Sequence, residues 1–153
     1  MKLRHILIGT GLGMGFSPIA PGTVASLGGW LIAMLLRPYI PYFEWFLLLL
    51  IVLFFFIGVY SSTKLETDWG KDPSEVVIDE IVGIWISLWF LPQGWWYSLA
   101  ALGLFRLFDI YKPLYIRRME TFKGGWGIMM DDVLAGIYAN IAVQLFCLVR
   151  GWF

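Results

Sequence analysis

The chain has 153 residues, of which 59% are hydrophobic and 14% charged, and its mean hydropathy is +0.76. Soluble domains carry about a quarter charged residues and about half apolar ones, so this composition argues against a soluble two-layer enzyme and excludes a disordered, solvated chain. Eleven Lys and Arg balance eleven Asp and Glu, which speaks against a basic nucleic-acid-binding surface, and one cysteine, Cys147, rules out a disulfide framework or a Cys-rich metal site.

The length suits one domain, and the expected class is all-α: a single membrane-embedded domain over residues 1–153, built as a polytopic helical bundle. Met1-Lys2-Leu3-Arg4 resembles the start of a signal peptide, but no small-residue cleavage site follows, so a retained segment is expected. The glycine series Gly9-Thr10-Gly11-Leu12-Gly13-Met14-Gly15 looks like a phosphate loop. It closes no G-x-G-x-x-G frame and precedes no G-K-[ST], which leaves a flexible or close-packing segment as the alternative. Ser17-Pro18-Ile19-Ala20-Pro21-Gly22-Thr23 reads as a rigid turn into a first membrane helix at 24–36, capped by Thr23 or Ser26, whose N-terminus would attract an anion.

Residues 43–60 form the clearest span: eighteen residues make roughly 27 Å of helix, close to the hydrocarbon thickness. Residues 76–108 are too many for one span, and Leu91-Pro92-Gln93-Gly94 is a strong turn signal. They are expected to form a hairpin of helices at 76–91 and 95–108, broken at Pro92 to Gly94, with Trp95, Trp96 and Tyr97 as an interfacial belt. A last helix begins near Met130, runs through 133–149 and ends at Arg150. No longer-period repeat occurs.

Five helical passes place Lys2, Arg4, Lys64, Lys71, Arg106, Lys112, Arg117, Arg118 and Lys123 on one face, with only Arg37 and Arg150 opposite. Nine cations against two orient the first face to the cytoplasm.

The acids are clustered rather than scattered. Glu66, Asp68, Asp72, Glu75, Asp79 and Glu80 lie in one stretch, Asp109 ends the fourth pass, and Asp131 and Asp132 open the fifth. Asp79 and Glu80 stand inside an apolar sequence, where an ionisable group is costly and faces a cavity or a partner. Taken singly, each has a structural explanation: Asp131 or Asp132 as a helix cap, Asp109 as an intrahelical partner of Arg106, and Asp79 and Glu80 as paired charges; Glu75 and Asp79, four apart on a helix, are expected to share a face. Taken together, five carboxylates from three segments converge near one membrane face and would repel one another without a cation among them. Such hard oxygen ligands suit Mg²⁺, and Arg106 and Lys112 supply charge for a phosphate. His5, the only histidine, is expected to be interfacial, and Cys147 inert.

Four blocks in order carry a family resemblance: Gly9-Thr10-Gly11-Leu12-Gly13 with Ser17 to Thr23; Asp79-Glu80-Ile81-Val82-Gly83; Phe105-Arg106-Leu107-Phe108-Asp109-Ile110-Tyr111-Lys112-Pro113; and Gly124-Gly125-Trp126-Gly127 through Asp131-Asp132 to Gly136. Together they resemble phosphatidylglycerophosphatase A. Ala25, where the family often has glycine before Ser26, is a mild departure. The resemblance implies a Mg²⁺-dependent phosphatase of the bacterial cytoplasmic membrane that converts phosphatidylglycerophosphate to phosphatidylglycerol and phosphate in phospholipid biosynthesis. Asp79, Glu80, Asp109, Asp131 and Asp132 are then expected to hold one or two ions and carry the catalysis. Arg106 and Lys112 would neutralise the phosphoryl oxygens, and the backbone at Gly22 and Thr23 would bind the headgroup. The competing expectations are a phosphatase of another membrane lipid phosphate, such as an isoprenoid phosphate, and a small ion-coupled transporter using the same carboxylates as an ion path.

Overall fold

A computed structural model describes residues 3–151, and every regular element among them is helical. In chain order these are α1 (Leu3–Gly9), a 3₁₀ turn (Met14–Phe16), α2 (Pro21–Leu36), α3 (Phe43–Trp69), α4 (Ile78–Leu88), α5 (Trp95–Tyr111), α6 (Ile116–Met119) and α7 (Gly125–Val149). Met1 and Lys2, which entered the N-terminal expectation and the count of cations, lie outside the described residues.

The five expected helices are present as α2, α3, α4, α5 and α7, with several boundaries moved. α2 starts at Pro21, whose ring pre-sets a helical φ, after Ala20 in the left-handed region at φ 45°. Neither Thr23 nor Ser26 caps it. α3 continues to Trp69 and carries Lys64, Glu66 and Asp68 past the apolar span. α5 ends where Lys112 adopts φ 47°, its N–H bonded to the Phe108 carbonyl at 2.8 Å, and Pro113 prevents continuation. α7 begins at Gly125, so Asp131 and Asp132 sit within its second turn and cap nothing.

α4 is the central element and the shortest of the five. Its eleven residues make roughly 16 Å of helix, and Val82, Ile84 and Leu88 are fully buried. It packs most extensively on α7, through glycine. A Cβ on Gly136 of α7 would collide with the Gly83 carbonyl oxygen of α4. A Cβ on Gly83 would press into the Phe105 ring and lie 2.9 Å from the Asp132 carbonyl oxygen. Small residues that admit close backbone approach are the usual means of joining helices in lipid. α3 joins α7 the same way: Gly125 lies against the Val59 carbonyl oxygen, and its N–H donates to Thr63 Oγ1 at 2.8 Å.

The C-terminal end of α4 shows how so short a helix ends inside the bundle. Asn140 of α7 donates to the carbonyls of Ser87 (3.2 Å) and Trp89 (2.7 Å), and Gln144 donates to Asn140 Oδ1 at 2.8 Å. Arg37 bridges Glu44 (2.6 Å) and the Leu91 carbonyl (2.7 Å), while Glu44 accepts the Phe90 N–H at 2.9 Å. The backbone groups freed at the break are thereby satisfied by side chains from α3, α7 and the Arg37 turn.

α3 and α7 are long and apolar enough to cross a membrane by length and composition; α2 is a shorter apolar helix of 16 residues. α2, α4, α5 and α7 bring their site-bearing ends together at one end of the molecule, and the Arg37–Glu44 pair marks the other.

Gly136→Leu is expected to cost about 2 kcal/mol or more by overpacking the α4–α7 contact. Gly103→Leu, at a position with nothing within 4 Å of an added Cβ, should leave stability unchanged. Thermal unfolding of the two variants in detergent separates these outcomes.

Candidate active site

The helix ends enclose a cavity of about 360 Å³. Ala20, Pro21 and Gly22 form one wall, the loop Asp72, Pro73, Ser74 another, and Asp79, Glu80, Arg106, Asp109, Lys112, Asp131 and Asp132 line the rest. All five carboxylates expected from the sequence therefore meet here, with both cations and Gly22. Thr23 is half-buried one position along and is not part of the wall.

Each group arrives by a local cause. Asp79 and Glu80 occupy the first turn of α4, where unpaired backbone N–H groups favour negative charge. Glu75 precedes that helix and shares no helical face with Asp79; Ser74 Oγ lies 3.3 Å from it. Arg106 and Asp109 are three apart on α5 and are joined at 2.8 Å. Asp132 is 2% exposed because α7 presses against α4 at this level.

Two charge networks divide the site. In one, Arg106 Nη1 donates to both Glu80 and Asp109, and Ser26 Oγ lies 3.0 Å from Glu80 Oε2. A side chain on Gly22 would strike the Glu80 carboxylate, so the glycine makes room for this cluster. In the other, Lys112 Nζ donates to Asp131 and to Glu120, each at 2.6 Å. Burial works against the Lys112 ammonium, but the hydrogen bonds and charges of Asp131 and Glu120 outweigh it and push its pKa above the ordinary lysine value. Lys112 is therefore a fixed cation.

Several buried atoms have no hydrogen-bond partner: Asp79 Oδ1, Asp132 Oδ1 and Arg106 Nε. One oxygen each from Glu80, Asp109 and Asp132 lies within 4.8 Å of the others. Six carboxylates, the five expected from the sequence and Asp72, outnumber the two cations that line the cavity, an excess of negative charge that a divalent ion would offset. Hard oxygen donors with open lone pairs suit Mg²⁺, which takes a few carboxylates at about 2.0–2.1 Å and keeps waters.

The glycine series packs rather than cradling an anion. Gly9 accepts the Val77 N–H at 2.8 Å, Gly15 lies against the Glu75 carbonyl oxygen, and Thr10 is buried with its hydroxyl 2.7 Å from the Ile6 carbonyl. His5 is buried against α3, 3.4 Å from Ser61 Oγ and edge-on to Tyr60, and does not line the cavity. Cys147 is buried. Ser26, Asp72, Ser74 and Glu120 are site members that the sequence did not single out as such. The i,i+4 spacing of Gly22 and Ser26 on α2 was a usable signal for the first; Asp72, Ser74 and Glu120 come from irregular segments and left none.

The sequence matches the phosphatidylglycerophosphatase A family over residues 7–147. It is 51% identical to a Bacteroides thetaiotaomicron protein named provisionally as a phosphatidylinositol-3-phosphatase, over 92% of this chain and 91% of that protein. It is 41% identical to the phosphatidylglycerophosphatase A of Haemophilus influenzae (90% and 85% covered) and 39% identical to that of Escherichia coli (86% and 76%). No solved structure matches.

Lys112→Met leaves Asp131 without its cation and is expected to cost roughly 2 kcal/mol, reduced from a fully buried pair by the partial exposure of the lysine. Glu120→Gln, at the more exposed end of the bridge, should cost a few tenths at most. Unfolding midpoints of the two variants in detergent test the ranking.

Proposed function

The chain belongs to the phosphatidylglycerophosphatase A family, and we propose that it hydrolyses the terminal phosphate of phosphatidylglycerophosphate to give phosphatidylglycerol, using Mg²⁺. The observation that carries this reading is the convergence of Asp79, Glu80, Asp109, Asp131 and Asp132 with Arg106 and Lys112 around one cavity. The residues that would hold the ion are Glu80, Asp109 and Asp132, whose oxygens are closest together, with Asp79 and Asp131 beside them. When bound, the ion supplies Lewis-acid polarisation of the phosphate and activation of water.

The remaining chemistry falls to the chain. Arg106 and Lys112 bring positive charge to the phosphoryl oxygens, where charge spreads in the transition state. The attacking oxygen joins phosphorus as the bond to the glycerol oxygen breaks. Asp79 Oδ1, buried and free of hydrogen bonds, takes the proton of the attacking water, and the departing glycerol oxygen is reprotonated from solvent or a neighbouring acid. Gly22 keeps the wall beside Glu80 open to the headgroup, and the backbone at Gly22 meets its second anionic group.

On this reading the protein is a multi-pass protein of the cytoplasmic membrane with the cavity at the cytoplasmic face. Support comes from two helices of spanning length and from the cations Arg4, Lys64, Lys71, Arg117, Arg118 and Lys123, which flank the cavity end in sequence. The acyl chains stay in lipid while the phosphate enters the cavity. The 51% identical relative named for a phosphoinositide favours a second reading, in which the monoester lies on an inositol ring, and the same residues would serve it. Confinement of the acids to one end weighs against a transport path.

Purified protein should release phosphate from phosphatidylglycerophosphate in mixed micelles, faster than from phosphatidylinositol 3-phosphate or an isoprenoid phosphate, and EDTA should stop it. Asp79→Asn is expected to lose at least about 10²-fold in kcat while still inserting in membranes. Wild-type turnover by that variant sinks the assignment, and release unaffected by EDTA sinks the metal.

A further inference from the structure

We infer that Arg106 is a stand-in cation that leaves Glu80 and Asp109 when a divalent ion is held there, so that metal loading makes one guanidinium available for phosphate. The inference rests on the reading that Glu80, Asp109 and Asp132 hold the ion.

The argument begins with shared lone pairs. Arg106 Nη1 alone bonds both Glu80 Oε2 and Asp109 Oδ2, and these two carboxylates belong to the trio whose oxygens crowd within 4.8 Å. Each carboxylate has further lone pairs, but Nη1 occupies the space between these two groups, and an ion shared by them would meet its positive charge there. The grip on Arg106 is also one-sided. Both bonds come from one terminal nitrogen, while Nε is buried and has no partner. A guanidinium offers five donors in a fixed plane, so the side chain is held at one corner and keeps donors for another acceptor. The cavity it lines is the acceptor's place. Gly22 keeps that side open, since even a Cβ there would stand only 3.5 Å from Nη1.

Lys112 makes the contrast. Its partners, Asp131 and Glu120, lie outside the trio, so an ion held by the trio does not compete for its acceptors. The two cations thus have different duties: Lys112 is permanent, and Arg106 changes partner. Without metal, Arg106 neutralises two ligands that would otherwise repel each other. With metal, the charge it neutralised is taken over, and its donors turn to the phosphoryl oxygens. Phosphate affinity then follows metal occupancy through the arginine as well as through direct attraction to the ion.

Calorimetric titration of Mg²⁺ into detergent-purified, EDTA-stripped protein tests this, with orthophosphate as the second probe and far-UV circular dichroism as the folding control. Arg106→Gln should bind Mg²⁺ about tenfold more tightly than wild type, and its metal-loaded form should bind orthophosphate at least about tenfold more weakly, the size of a lost charge-assisted hydrogen bond. Arg106→Lys keeps the charge but loses the planar fork, and its metal-loaded form should also bind orthophosphate more weakly than wild type. Metal binding by Arg106→Gln no tighter than wild type overturns the displacement, and so does an equal loss of orthophosphate affinity with and without Mg²⁺, which would leave Arg106 a fixed charge. Wild-type protein that binds no Mg²⁺ defeats the parent reading instead.

Discussion

Gly136 presents no side chain to the carbonyl oxygen of Gly83, and at that point α4 and α7 meet backbone against backbone. The acid cluster follows from this contact. Asp79 and Glu80 sit one turn before Gly83 on α4, and Asp131 and Asp132 one turn before Gly136 on α7. A wider crossing would separate the two acidic pairs and let water between them, and the groups would then be ordinary solvated carboxylates. Close approach instead withdraws them from water together, which makes the pairing cations, Arg106 and Lys112, a structural necessity as well as a chemical resource.

The far end of α4 serves the same purpose. Asn140, Arg37 and Glu44 bind the groups freed at residues 87–91 and hold the helix along its axis. Since Asn140 is on α7, the same helix carries both Asp131–Asp132 and the cap for α4. The acids on α4 and α7 are therefore held in register from both ends.

Much of this was legible in the sequence because the signals were physical and local. The apolar composition gave the helical class, Pro92 and Gly94 gave the break, and acids in apolar surroundings gave the cavity. What was hidden depended on tertiary contacts. The helix at 76–91 shortened to Ile78–Leu88 because its terminal carbonyls found Asn140, a partner some fifty residues away that no local pattern reveals. α7 began at Gly125 because the glycines there, which look like a loop in isolation, are the residues that allow contact with Val59 and Thr63. Ser26 looked like a cap because its link to Glu80 crosses from one helix to another. The family match over residues 7–147 and the named relatives supply the lipid phosphate class that side-chain chemistry alone does not.

Between the acids at one end of α4 and the Arg37–Glu44 pair at the other lie Ile84, Trp85 and Leu88, each at most 5% exposed. This dry stretch acts as an insulator. Water and ions reach the carboxylates from the cavity side, because these apolar side chains close the way along α4. On the proposed membrane reading, the acids could then be kept at one end of the bundle without opening a leak to the other.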